Sequence, residues 1–358
     1  MSRLSRLKKG LRERNELPFL VTDLTNIRYL TGFTGTNATL VIGNHRNWFI
    51  TDSRYEEYAR SILGSSWRFF LQKEALTGVL DQVMEKEKGE FLFVEDHSIR
   101  LSGYLQLRRA LRKRRVKIRS GGSPVNTLRM VKDTGEVDTL REAANITDRC
   151  VDHLKSFVKP GMTEWQVATE IEIFYRQNGC TGTSFPPIVA SGAGSSMPHY
   201  ETSMEKRIEK GEPLLIDMGC VYRGYNSDLT RTIFVGSIPG PVREIYRVVL
   251  EAQQKAVKSV RPGITTGKLD QVARDHIADC GYGDRFGHSL GHGFGLEVHE
   301  LPAVKNSGDL VLKKNMTITI EPGIYLPGIG GVRIEDMVLV TARGGESMTS
   351  SERTMEII

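Results

Sequence analysis

Four carboxylates stand where a sequence would ordinarily bury apolar side chains. Asp217 and Glu321 each close an apolar run, Leu214-Leu215-Ile216-Asp217 and Ile318-Thr319-Ile320-Glu321, and Asp228 and Glu335 each follow a short turn beyond it. A buried carboxylate without a partner is costly. Four facing one another would repel strongly unless protons or cations neutralise them. Two divalent metals are the simplest answer. A structural ion-pair network with Arg231 and Arg333 is the competing one, and it leaves a second feature unexplained.

That feature is the stretch from Gly287 to Glu300, which holds His288, His292 and His299 among glycines, three of the eight histidines in the chain. By itself it reads either as a metal site or as a polar glycine-rich turn. Joined to the carboxylates, His292 supplies a fifth ligand. One imidazole with four carboxylates is an oxygen-rich set, better suited to manganese, cobalt or iron(II) than to a closed structural zinc site. Two metals bridged by carboxylates and by a water of lowered pKa are a common hydrolytic device. His199 lies about 100 residues before His299, as a mate in a duplicated frame would. The pair could donate hydrogen bonds to an oxyanion, although a lone histidine such as His199 is often only a satisfied loop residue. His288 is placed in the wall of a substrate pocket. His45, His97, His153 and His276 receive no role.

These residues sit on an internal repeat. Lys159-Pro160-Gly161-Met162-Thr163 returns as Arg261-Pro262-Gly263-Ile264-Thr265, each copy following one amphipathic helix and opening another. The two acidic strands are matched in the same way, and a tyrosine and a turn follow each, Tyr222 with Gly224 and Tyr325 with Gly328. Two helix–helix–hairpin halves related by a pseudo-twofold would lay both hairpins in one curved sheet.

Ahead of the repeat, short apolar strands at Pro18–Val21, Thr39–Ile42, Trp48–Thr51 and Phe91–Val94 alternate with helical patterns, the mark of an α/β unit. The boundary is set where composition breaks around Ser123-Pro124, giving domains of residues 1–127 and 128–358. Leu4, Leu7 and Leu11 put an apolar stripe on a basic first helix, read as core-facing rather than as a transit peptide or membrane-surface helix. The run from Arg108 to Arg119 is read as the basic end of a helix, a solvated face rather than a nucleic-acid patch, since it lacks aromatic interleaving. A net charge of +6, with 26% charged and 39% hydrophobic residues, is ordinary globular composition. Cys150, Cys180, Cys220 and Cys280 make no C-x-x-C pair and read as thiols of a reducing cytoplasm. No apolar run reaches membrane-span length, so neither membrane nor nucleic acid is expected as a partner.

The second domain resembles the metallopeptidases of the pita-bread fold. The likeness runs through Ser184 to Gly192, Asp217 to Thr232, His288 to Glu300, Glu321-Pro322-Gly323 and Arg333-Ile334-Glu335-Asp336. The His288–His292 and Glu297–Glu300 patterns look like the proline-specific branch, aminopeptidase P and prolidase, and the first domain resembles the one shared with creatinase. The resemblance implies an α+β fold. It implies two divalent metals per subunit, with manganese first and cobalt, zinc or iron(II) as alternatives. Asp217 would bind one metal and His292 and Glu321 the other, with Asp228 and Glu335 bridging both. Glu321 would also manage the proton of the nucleophilic water. His199 and His299 would contact substrate and stabilise the tetrahedral intermediate. Arg333 would order a bridging carboxylate or hold a substrate carboxylate. Thr51-Asp52-Ser53-Arg54-Tyr55 looks like the small bacterial aminopeptidase P members. The expected activity is therefore Xaa-Pro aminopeptidase, on peptides with proline second, in a homodimer. Prolidase is the alternative, with methionine aminopeptidase and a non-catalytic binding module further off.

Overall fold

Strands of three to five residues build the first unit, buried in its centre and more exposed at its edges. The computed structural model describes all 358 residues, in two units, Met1–Arg129 and Met130–Ile358. In the first unit β1 (Phe19–Val21), β2 (Thr39–Ile42), β3 (Asn47–Thr51), β4 (Trp67–Leu71), β5 (Phe91–Val94) and β6 (Lys117–Ser120) form one mixed sheet in the order β4-β3-β2-β1-β5-β6. The helices are α1 (Arg3–Glu13), α2 (Leu24–Thr31), α3 (Glu56–Ile62), α4 (Leu76–Glu87), α5 (Leu101–Leu111) and α6 (Pro124–Arg129). Leu20, Val41, Ile50, Leu92 and Val94 pack with Val79, Leu80 and Val83 of α4 and with Leu107 and Leu111 of α5. Leu7 and Leu11 of α1 are buried, so the apolar stripe of the first helix faces protein.

In the first unit two strands went unread in the sequence, β4 and β6. The second corrects the reading of the basic run. Helix α5 stops at Leu111, a single 3-10 turn spans Arg112–Arg114, and Arg115 turns the chain at φ 59° into β6. Lys117, Arg119 and Ser120 are exposed and Ile118 half-buried, as alternation on an edge strand requires. The charges that made this stretch look like a helix face instead guard an open sheet edge against pairing with another chain.

The second unit repeats one plan twice. The first half has α7 (Thr134–Phe157), α8 (Glu164–Gln177), and strands β7 (Ile188–Ser191), β8 (Pro213–Met218), β9 (Val221–Tyr222), β10 (Tyr225–Asn226) and β11 (Leu229–Phe234). The second has α9 (Gly240–Ser259), α10 (Thr266–Asp279), and strands β12 (Gly291–Gly293), β13 (Glu300–Val304), β14 (Thr317–Ile320), β15 (Gly323–Leu326), β16 (Gly330–Arg333), β17 (Asp336–Val340) and β18 (Gly345–Ser347). Gly161 and Gly263 take φ of +89° and +92°, the left-handed region open to glycine. Each is followed by a threonine N-cap, Thr163 accepting from the Gln166 amide and Thr265 from that of Lys268. Each cap also bridges to the segment before its acidic strand, Thr163 to Arg207 and Thr265 to Val311.

The strand pairs then match. β8 and β11 pair antiparallel and are joined by the β9–β10 ribbon, while β14 and β17 pair antiparallel and are joined by the β15–β16 ribbon. Helices cover one face of each sheet. Ile171 and Tyr175 of α8 and Leu154 of α7 pack on Ile216, Met218, Leu229 and Ile233. Leu269 and Ala273 of α10 and Val249 of α9 pack on Ile318, Ile320 and Val338. Because strand side chains alternate, residues between these apolar positions point to the opposite face. The result is an α+β fold with a pseudo-twofold repeat and an acidic inner surface. No helix is long and apolar enough to cross a membrane.

Helix α8 offers a test of this packing. Ile171 is fully buried and Ile173, two residues on, is 44% exposed. Ile171→Ala should cost about 2–5 kcal/mol in denaturant titration, and Ile173→Ala less than about 0.5 kcal/mol. Equal losses would show that α8 does not pack as described.

Candidate metal centre

On the inner face, alternation along β8 puts Asp217 opposite Ile216 and Met218, and along β14 it puts Thr319 and the following Glu321 opposite Ile318 and Ile320. Asp228 and Glu335 immediately precede β11 and β17. The halves are stitched at this point, the Glu335 amide donating to the Thr230 carbonyl at 3.2 Å and the Arg333 amide to Thr232 Oγ1 at 3.3 Å. Ligand atoms of Asp228, His292 and Glu335 consequently lie within 4.8 Å of one another. His292 Nε2 is 3.5 Å from Asp228 Oδ2 and 3.4 Å from Glu321 Oε1. Asp217 joins the group through Arg333, whose Nη2 donates to its Oδ2 at 2.5 Å.

His292 reaches the carboxylates because its strand lies flush against β14. A Cβ at Gly291 would come within 2.0 Å of the Thr319 carbonyl oxygen, so only glycine fits there. Behind the strand, Asp270 and Arg274 of α10 hold the approach. Asp270 accepts from the Leu290 amide at 3.0 Å, and Arg274 donates to the carbonyls of Phe286 and His288 at 3.0 and 2.9 Å.

The electrostatics of the cluster call for cations. Burial, then repulsion from Glu335, Asp217 and Glu321, pushes the Asp228 carboxyl well above the usual range. Glu335 is pushed well up by burial and by Glu321 and Asp217. Glu321 is pushed up to about 7 by burial, with Arg333 opposing. Asp217 Oδ1 is buried and accepts no hydrogen bond. His292 Nδ1 lies 3.1 Å from the Gly293 carbonyl, which can only accept, so the proton is on Nδ1 and Nε2 presents a lone pair. Its distances to Asp228 and Glu321 would also suit an imidazolium ion pair. Burial and the neighbouring His299 push His292 down to about 4, which favours the neutral ring. Acceptors then face acceptors across the centre. A lone-pair nitrogen, an orphaned carboxylate oxygen and three destabilised carboxyls fit divalent cations, with no cysteine in the set.

The supporting hydrogen bonds are nearly as informative. Thr230 Oγ1 donates to Glu335 Oε2 at 2.7 Å and accepts from Arg333 Nε at 3.0 Å. Thr319 Oγ1 donates to Glu321 Oε1 at 3.1 Å. Arg333 is buried, and it also donates through Nη1 to the Tyr325 hydroxyl at 3.0 Å and to the Pro198 carbonyl at 3.3 Å. Arg231 donates to Asp336 at 2.8 Å and to the Glu335 carbonyl, bracing the strand from the other side.

The remaining histidines surround the centre. His288 Nδ1 faces the Ser289 carbonyl at 2.8 Å and Nε2 lies 2.9 Å from the Tyr325 hydroxyl. Burial and then Arg333 push His288 down to about 4. The neutral ring therefore accepts from Tyr325, which in turn accepts from Arg333. His299 is exposed, its ring centroid 4.1 Å from that of His292. His199 is exposed on the loop after β7, beside the Pro198 carbonyl that Arg333 holds, and close enough to act electrostatically on His288. His45 and His97 belong to the first unit. His153 pairs with Glu170 at 2.7 Å, and His276 lies 2.8 Å from Lys255 Nζ and 3.3 Å from Glu251. Sequence reasoning missed Thr230, Thr319, Asp270 and Tyr325 as site residues. Only Tyr325 left a signal, as the tyrosine that follows each acidic strand.

Comparison with known proteins agrees with this geometry. The sequence profile of Metallopeptidase family M24 matches residues 138–342. The chain belongs to that family. The Creatinase/Prolidase N-terminal domain profile matches residues 3–131. The chain is 47% identical to an Xaa-Pro dipeptidase of Pyrococcus horikoshii over 231 residues, 64% of this chain and 66% of that one. Its structure superposes on an Xaa-Pro dipeptidase from Bacillus anthracis with a TM-score of 0.95 at 38% identity, covering 99% of both chains. An X-Pro aminopeptidase from Thermotoga maritima gives a TM-score of 0.90 at 35% identity, covering 100% of both. The M24 protein described here is thus a hydrolase of the peptidase class, with the pita-bread fold behind a creatinase-like first domain.

Thr230→Val keeps the β-branched shape of β11 but removes the hydroxyl between Arg333 and Glu335. It should weaken divalent-cation affinity about 10- to 100-fold, the usual loss when a group orienting a ligand is removed, read by calorimetric titration of manganese. Unchanged affinity would mean Thr230 does not order Glu335.

Proposed function

We propose that this M24 protein is an Xaa-Pro dipeptidase, using two divalent cations held by Asp217, Asp228, His292, Glu321 and Glu335. The observation that carries the metal assignment is the meeting of Asp228, Glu335 and the His292 lone pair, with Glu321 beside His292 and a buried Asp217 oxygen left without a donor. Similarity along the whole chain to a protein named Xaa-Pro dipeptidase supports the substrate class. Xaa-Pro aminopeptidase, the activity expected from the sequence, is the second reading, favoured by the full-length likeness to the Thermotoga maritima X-Pro aminopeptidase.

When bound, the cations supply Lewis-acid polarisation and a nucleophilic water at neutral pH. The residues of the chain do the rest. Asp228 and Glu335 sit between the halves, where each would hold the cations through its carboxylate. Thr319 occupies one oxygen of Glu321, leaving the other to take a proton from the attacking water. His199 and His299 present exposed rings beside the centre, placed to donate hydrogen bonds as the scissile carbonyl becomes an oxyanion. His288 forms the pocket wall with Tyr325. Two roles were expected for Arg333, and its hydrogen bonds support ordering: it fixes Asp217 directly and Glu335 through Thr230. Manganese suits the oxygen-rich set, with cobalt, zinc or iron(II) as competitors.

Asp228→Ala should remove a shared ligand and abolish both cation binding and turnover, each measured on the same preparation. Wild-type turnover from that variant would refute the two-cation reading. The second test compares an Xaa-Pro dipeptide with Xaa-Pro-Yaa tripeptides on apo protein reconstituted separately with manganese, cobalt and zinc. Dipeptide hydrolysis alone is expected. Efficient release of the first residue from tripeptides would replace dipeptidase by aminopeptidase.

A further inference from the structure

We infer that Glu164 is a positioning residue that sets the His199 loop against the metal centre. The inference rests on the role given to His199 above. Glu164 is the first residue of α8, a place where an acid is normally solvated, yet it is fully buried. Capping does not explain it, because Thr163 and Gln166 already close a capping box at that helix start. Its carboxylate is instead spent on one loop. Oε1 accepts from the Ser191 amide and from Ser191 Oγ, both at 2.7 Å. Oε2 accepts from the Ser203 amide at 3.1 Å. Burial, and after it the nearby Glu164 carboxylate, pushes the Tyr200 phenol up to about 12.

The donors come from both ends of the segment Ser191–Ser203, which carries His199. One carboxylate thus closes a loop that has no regular structure beyond a 3-10 turn at Gly192–Ser196. The side toward the centre is pinned separately. Ser195 Oγ accepts from the Gly331 amide at 2.8 Å, and the Pro198 carbonyl accepts from Arg333 at 3.3 Å. His199 itself makes no hydrogen bond and is exposed. Its place is therefore set by the loop that carries it, with Pro198 held by Arg333 and both ends of the segment held by Glu164. All three groups that bond to the Glu164 carboxylate are donors, so the site wants an acceptor-only carboxylate. A glutamine of the same size would turn an N–H toward an N–H and leave at least one donor unsatisfied.

Misplacing a catalytic group by about 1 Å can cost about 100-fold in rate. Glu164→Gln, which keeps the side-chain volume, is expected to lower kcat/KM for an Xaa-Pro substrate about tenfold with cation content unchanged. The deciding measurement repeats the substitution in a His199→Ala background, where no further loss is expected because the group being positioned is gone. Ser191→Ala, which removes one hydroxyl donor and leaves the carboxylate, is the companion variant should Glu164→Gln fold poorly. It should show a smaller loss and the same dependence on His199. An equal loss in both backgrounds, wild-type kinetics of both variants, or a loss that tracks cation content would overturn the inference. Wild-type kinetics for His199→Ala alone would instead refute the role of His199 on which it stands.

Discussion

The repulsion among four carboxylates at one buried point governs the second unit. Asp228 and Glu335 are almost wholly shielded from water, 5% and 2% exposed, and burial together with their acidic neighbours pushes both carboxyls well up. Water is not there to screen them, so neutralisation must come from inside the site. The chain supplies one nearby guanidinium, Arg333, and it is committed to Asp217. A single positive charge does not balance the set. The excess of acceptors over donors suits the centre to cations better than to an ion-pair network, the alternative that Arg231 and Arg333 had left open. Arg231 lies on the far side of the strand, bound to Asp336 and to main-chain carbonyls.

Holding such a cluster together requires a scaffold that does not yield to its repulsion, and the duplicated plan provides it. Each half packs two helices on one sheet face and turns its acidic residues to the other, so the apolar clusters behind Asp217 and Glu321 fix the strands in place. The ends of the chain tighten the frame. Asp148 on α7 accepts from the amides and hydroxyls of Ser350 and Ser351, and the Ile358 amide bonds to the Phe234 carbonyl. The cluster is asymmetric only where His292 enters, on a strand anchored by Asp270 and Arg274 and lying so close to Thr319 that its first residue must be Gly291.

The parts of the site that were legible share a cause. An acid at the end of an apolar strand contradicts its surroundings, and a contradiction duplicated at matched positions is hard to attribute to chance. Asp217, Asp228, Glu321 and Glu335 stood out for that reason, and the glycine-histidine segment then offered His292. Thr230 and Thr319 carry no such signal. A threonine in a strand is ordinary β composition, and its hydroxyl becomes informative only when its partner is known. Glu164 was hidden for a similar reason, since an acid in a helix's first turn looks like a favourable dipole interaction. In the first unit the cost of charge-based reading was larger. The density of arginine and lysine after Leu107 masked the alternation that makes Lys117–Ser120 a strand.

The sequence alone exposed the candidate ligands and their symmetry, because residue type, burial pattern and repeat spacing are local properties that survive in one dimension. The helix starts at Thr163 and Thr265 and the paired acidic strands also showed the duplicated plan, while the α+β class was implied by the family resemblance. Tertiary structure alone decided which groups stand behind the ligands and which way they point. Arg333 meets Asp217 and reaches Glu335 through Thr230, across more than a hundred residues of chain. His292 meets Asp228 and Glu321 from a third segment. Such contacts depend on how two separately packed halves are joined at β11 and Glu335, and no local pattern encodes that junction.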